Sequence, residues 1–214
     1  NDQRWHLYYI NKNMASIFDK ILDERPEGSQ TPFEWFQERI KNITTSANVV
    51  LSQGRRTATL NLYRFNMFFY DPITKDKLEY FDMFPLVFPL RRVSGGFLGL
   101  NAHYLPMDLR EDFYTIFQNY RTSDDIDENT LYRTTWARVK RFKLIRPLIK
   151  KYLFSQVKSQ FLKINADEVP VALLLPIERF KKTGKDFSRT ARRQRQIVRE
   201  VHINTRKKIR QGKS

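Results

Sequence analysis

The chain has 214 residues, 41% of them hydrophobic, with 39 Lys+Arg against 23 Asp+Glu, a formal net charge of +16 and no cysteine. That apolar content excludes wholesale disorder and sustains one sizeable core, while the lack of Cys excludes disulfides and thiolate zinc. The charge is segregated: residues 131–214 hold 24 Lys+Arg against 5 Asp+Glu, whereas residues 1–130 hold 15 against 18. A polyanion, nucleic acid or an acidic membrane surface, is therefore expected to meet the C-terminal part.

Residues 13–24 place Met14, Ile17, Phe18, Ile21 and Leu22 at helical spacing, and Pro26 with Gly28 ends the pattern. Thr31, Pro32 and Glu34 then read as an N-cap, a first-turn proline and the reciprocal acid of a capping box. They predict a helix over about 32–43 with Phe33, Phe36 and Ile40 on one face. After Gly54 the pattern turns to strand. Segments 60–70, 84–93 and 97–105 are dense in aromatic and branched residues, with turns at Asp71-Pro72 and at Thr74 to Asp76, and with the pair Gly95-Gly96. They predict a small antiparallel SH3-like β-barrel flanked by helices, in an α+β fold. Phe68, Tyr70, Leu86, Phe88, Phe97 and Leu100 are its expected core, and Pro85 and Pro89 put the middle strand at an edge or on a bulge.

Asp108 and Glu111 suggest another capping box, followed by the apolar stripe Leu109, Phe113, Ile116, Phe117 and Tyr120 as far as Arg121. Residues 122–129 form an acidic loop, and a helix is expected over about 130–141. From Pro147 to Phe161 the positions Leu148, Tyr152, Leu153, Val157 and Phe161 recur at helical spacing with Lys150, Lys151 and Lys158 between them. Residues 169–175 read as a buried strand ending at Pro176. The resulting organisation is a helical segment at 1–57 packed in one domain with a barrel-plus-helix core at 58–180, then a basic C-terminal extension at 181–214.

Function classes narrow in the same way. The 17 Phe, 10 Tyr and 3 Trp, spaced among apolar residues, read as core before they read as a base-stacking surface. The longest apolar runs, 84–90 and 170–177, are broken by proline and fall far short of the roughly 18 residues of a membrane helix. No membrane partner is expected, and the protein reads as soluble, intracellular or particle-bound. The sequence opens at Asn1 without an initiator Met, which leaves room for residues removed upstream.

His6, His103 and His202 are scattered outside any metal-ligand spacing; they read as a surface residue, a packed or hydrogen-bonded one, and a polar helix position. The glycines fit neither phosphate-loop spacing. Asp71, Asp76, Glu79 and Asp82 lie close in sequence, as metal-dependent nuclease carboxylates would, but turns favour Asp for backbone reasons alone. The expectation is no catalytic residue, no metal and no cofactor.

The basic residues carry more. Residues 179–214 hold 14 Lys+Arg against only Asp186 and Glu200. Arg189, Arg192, Arg193, Arg195 and Arg199 decorate a helix whose narrow apolar stripe is Ile197, Val198, Val201 and Ile209. Such a segment binds a phosphate backbone by releasing counterions, without reading sequence. The candidate contacts are Arg189, Arg192, Arg193, Arg195 and Arg199, extended by Arg206, Lys207, Lys208 and Arg210, with Lys150, Lys151 and Lys158 as a secondary patch. A membrane-surface helix fits less well, because Phe187 is its only large aromatic.

The stretches FYDPITKDKLEYFDMFPLVFPL (69–90) and GGFLGLNAHYLP (95–106), with KYLF (151–154) and VALLLPIERF (171–180), resemble the DNA end protector family of T4-like tailed phages over about residues 60–182. The resemblance implies a virion protein, present in the host cytoplasm during assembly, that binds the termini of a linear double-stranded genome and shields them from host exonuclease. It carries over no catalytic residue. Double-stranded DNA and other virion proteins of head, neck or tail are the implied partners. Two other readings remain open: a neck or baseplate connector whose basic arm docks on acidic subunits, and an RNA-binding protein of a ribosome-like particle.

Overall fold

The computed structural model describes residues 15–26, 31–62, 64–118, 144–183 and 190–212. The first helix, α1 (Ile17–Leu22), starts at a Ser16 cap whose hydroxyl accepts from the Asp19 amide while the Asp19 carboxylate takes the Ser16 amide in return. Helix α2 (Phe33–Ile40) begins one residue later than the sequence suggests: Pro32 is the cap, and no side chain of Thr31 or Glu34 closes it. Its expected inner face, Phe33, Phe36 and Ile40, is buried. A further helix, α3 (Ala47–Gln53), is capped by Ser46 and buries Ala47 and Val50.

Two strands of two residues, β1 (Arg56–Thr57) and β2 (Asn66–Met67), precede a 3-10 turn at Lys75–Lys77 in the expected turn region. Then come β3 (Tyr80–Asp82), β4 (Leu86–Val93) and β5 (Gly96–Asn101), with α4 (Arg110–Gln118) after two 3-10 turns. The segment 147–161 is not helical. It forms β6 (Ile149–Leu153), a 3-10 turn and the start of β7 (Phe161–Lys163), because pairing of all five β6 residues with Gly96 to Leu100 of β5 overrides the helix-like spacing. Conversely, the expected strand at 169–175 is helix α5 (Val169–Leu174), with Pro170 in the first turn and all six residues buried. A run apolar on every side fits a core helix as well as a core strand, and the proline decides for the helix. Strand β8 (Phe180–Lys182) and the 21-residue helix α6 (Ala191–Gln211) complete the chain. The helix expected over 130–141 lies outside the described residues.

The fold is α+β, but the sheet is not a closed barrel. Six antiparallel strands run in the order β1-β7-β2-β4-β5-β6, with β1 and β6 at the edges, and β3 pairs separately with β8. The sheet curls: Lys158 donates its amide to Phe69 O, and Tyr70 bridges to Val157, so the chain after β6 returns to the chain after β2. The Asp71 amide adds a bond to Gln156 O, and the two segments meet as a short irregular contact rather than as paired strands. Strand β4 is central in the order, and its register slips between Pro89 and Arg91, so of the two accommodations expected for the prolines the bulge is the one used. At Gly96 a Cβ would fall 1.9 Å from the Tyr152 carbonyl oxygen, which is why the β5–β6 approach demands glycine.

All six expected barrel residues are buried, but they serve two faces rather than one interior. Leu86, Phe88 and Leu100 join the main core under α1, α2, α3 and α5. Phe68, Tyr70 and Phe97 join Val87, Tyr152 and Phe161 in a smaller aromatic cluster on the other side. The two-residue side-chain period of a sheet covered on both faces produces this division.

Candidate nucleic-acid interface

Helix α6 is the most basic element, and its frame is firm. The Thr190 hydroxyl accepts from the Arg193 amide at one end, and Gly212, at φ 65°, ends the helix at the other by donating to the Lys208 and Ile209 carbonyls. Its inner face buries Val201 and Thr205, with Ile197, Val198 and Ile209 half-buried, as the sequence stripe anticipates. Polar contacts fix it along its length. Gln194 donates to Glu178 O at 3.1 Å, and His202 Nε2 lies 3.0 Å from His103 O. Burial drives the His202 pKa down to about 4, so the ring is neutral and donates that bond. Glu200, the one acid in α6, accepts from Lys182 at 2.7 Å and from the Tyr80 hydroxyl at 3.0 Å. The Lys182 hydrogen bond holds the Glu200 carboxyl below its ordinary range. Arg206 reaches Asp108 at 2.6 Å, and that bond lowers the Asp108 carboxyl likewise. Asp108 therefore serves α6 rather than capping α4.

With Glu200 spent toward the body, the outer face is cationic. At 100° per residue Arg192, Arg195, Arg199, Arg206 and Arg210 fall within one narrow sector, a row about 27 Å long at 1.5 Å rise per residue. Arg192, Arg195, Arg199 and Arg210 are exposed and have no ion pair among the described residues. Neighbouring like charges at i+3 and i+4 destabilise a helix by a few tenths of a kcal/mol per pair. An external anion relieves that cost. Arg193, half-buried, points off this row, and Arg189 lies outside the described residues.

The lysines group differently. Lys207 and Lys208 of α6 face Lys150 and Lys151 of β6 across a cleft of about 840 Å³. Lys158 is exposed on the loop tied to Phe69 and is not part of that wall. No local pattern signals that 150–151 and 207–208 meet, because the meeting depends on β6 being a strand.

The remaining candidates for chemistry are structural. Asp82 and His103 pair at 2.9 Å with both side chains at most 1% exposed, and the Asp82 carboxylate also accepts from Asn101 and the Phe84 amide. Asp71 pairs with Lys75, Glu79 accepts from Asn204, and no group of three or more His, Asp or Glu among the described residues could hold a metal ion. Arg110, fully buried, donates to Glu178 at 2.6 Å and to the Leu105 and Leu173 carbonyls, tying α4 to α5. No helix among the described residues is long and apolar enough to cross a membrane.

Residues 1–196 match the family model described as the phage T4 terminal DNA protecting protein. The chain belongs to that family. The match extends well beyond the 60–182 stretch that carries the sequence resemblance and takes in the first turn of α6. No curated protein and no solved structure matches the chain.

Proposed function

We propose that this member of the phage T4 terminal DNA protecting protein family is a non-catalytic virion component that grips duplex DNA near its ends, with the outer face of α6 laid against the phosphate backbone. The observation that carries this reading is the unpaired row Arg192, Arg195, Arg199 and Arg210 on a helix whose opposite face is anchored to the body. The family description supplies the terminus, and the row supplies a contact indifferent to base sequence. Protection follows from occupancy: an exonuclease must engage a free terminus, and a bound protein denies it.

The test is digestion of linear duplex by a processive exonuclease with and without the full chain, alongside binding titrations over a range of salt. Protection that ignores sequence and weakens steeply with salt supports the reading. Unprotected ends, with no salt-dependent duplex binding, refute it. One observation favours a connector arm instead: Arg206 and Lys182 already take carboxylates. Under that reading the isolated chain binds neither duplex nor RNA.

A further inference from the structure

A DNA end differs from internal duplex in two chemical respects. It exposes the face of its last base pair, and it offers a terminal phosphate monoester in place of a diester. A monoester carries a charge near −1.5 to −2 at neutral pH, with three acceptor oxygens. The row on α6 addresses neither feature, since backbone phosphates are alike along the duplex.

The cleft beside it has the complementary chemistry. Its walls are β6, the segment from Pro72 to Asp82 and the C-terminal half of α6, and its volume of about 840 Å³ is that of a small-ligand site rather than of a paired segment. Lys150, Lys151, Lys207 and Lys208 line it, and none has an ion pair among the described residues. Two acids also line it, but Asp82 is spent on His103, Asn101 and the Phe84 amide, and Glu79 accepts from Asn204. The Lys150 ammonium sits 4.4 Å over the Tyr104 ring. Burial, reinforced by the like charge of Lys208, brings its pKa down to about 8. This cation lacks a counter-charge and would regain stability from an anion placed between β6 and α6. The rim is apolar, with Ile73 63% and Leu78 37% exposed beside Pro72, and suits the open face of a terminal base or sugar.

We propose that this cleft receives the phosphate monoester at the end of a nucleic-acid strand, held by Lys150, Lys151, Lys207 and Lys208. The inference rests on the end-binding reading above and gives that reading its discrimination: α6 holds duplex of any kind, and the cleft selects its termini.

The experiment measures binding of the full chain to duplexes of one sequence carrying 5′-phosphate, 3′-phosphate or hydroxyl ends, to a hairpin-capped duplex without ends, and to single-stranded tetranucleotides with the same terminal groups. One phosphorylated form, 5′ or 3′, should bind about tenfold tighter than its hydroxyl counterpart, in the tetranucleotide as well as the duplex, as one or two added charge-assisted contacts require. In the Lys150→Met/Lys208→Gln protein that ratio should fall to near one. Equal affinity of the unaltered chain for phosphate and hydroxyl termini in both probes overturns the cleft, whatever the hairpin-capped duplex does. A ratio that survives in a folded double variant overturns it too. If the tetranucleotide discriminates and no duplex binds, the α6 reading falls and the cleft stands. The comparison in the unaltered chain decides the matter even if the double variant fails to fold.

Discussion

Replacing Arg192, Arg195, Arg199 and Arg210 together with Gln removes the unpaired part of the α6 row and leaves its inner face intact. Each phosphate contact contributes about 0.9 to the slope of log K against log salt on B-form DNA. If all four arginines touch phosphates, the slope magnitude falls by about 3.6 and affinity at 0.1 M salt drops up to about 4,000-fold, with the two proteins converging toward 1 M. A row about 27 Å long covers most of one duplex turn of about 34 Å, so at least two contacts, a slope change of about 1.8, are required by the geometry. All four side chains are exposed, so stability should stay within about 0.5 kcal/mol. The assay is fluorescence anisotropy with a labelled duplex at five or more salt concentrations, paired with thermal melts. A slope change below about one unit in a protein that melts normally would refute phosphate contact by this face.

Three further outcomes follow from the body that carries the helix. Glu178→Gln strands the Arg110 guanidinium inside the protein and should cost about 3–5 kcal/mol in urea unfolding, whereas Arg206→Gln, which breaks an exposed pair, should cost no more than about 1 kcal/mol. His202 is neutral when folded down to pH about 4 but titrates near 6.5 when unfolded, so the unfolded chain binds more protons between those values and stability falls as pH drops through that window. Urea unfolding at pH 7, 5.5 and 4.5 should show that decline, and His202→Gln should flatten it; below it, burial of Glu178 is outweighed by Arg110, so its depressed carboxyl adds a second loss as it is finally protonated. Gly96→Ala drives a methyl into the Tyr152 carbonyl and should lower the melting temperature by several degrees, with opening of the β5–β6 edge visible as faster exchange of the Phe154 amide, which donates to Gly95 O.

What could be read from the sequence is what local chemistry dictates. Phe33, Phe36 and Ile40 mark the inner face of α2, Gly95 with its φ of 71° marks the β4–β5 turn, and Ile197, Val198, Val201 and Ile209 mark the inner side of α6. Helix α3 also had a local signal, Ser46 followed by Ala47 and Val50, and it is short enough to pass for a loop. The failures share a different cause. Leu148, Tyr152 and Phe161 recur at helical intervals, yet the backbone between them is claimed by β5, a partner some fifty residues away in sequence. The α5 run is apolar on every side and has no period to read. The barrel expectation failed because alternate residues of one strand, Val87 against Leu86 and Phe88, fill separate cores. Within the candidate interface, the arginine row was legible because it lies on one helix, whereas the lysine cleft is assembled by tertiary structure.

The anchoring of α6 has a kinetic and entropic consequence. A basic segment that folds only on DNA gives up about 2–5 kcal/mol of its gross binding energy to ordering and shows a large negative heat-capacity change. Here the hydrogen bonds of Gln194, Glu200, His202 and Arg206, with buried Val201 between them, settle that loss during folding of the protein itself. Under the proposed reading the arginines meet the duplex at fixed spacing, so collisions in the right orientation succeed without a search through coil conformations. A protein that must reach a DNA end before a nuclease does gains most from arriving already in shape.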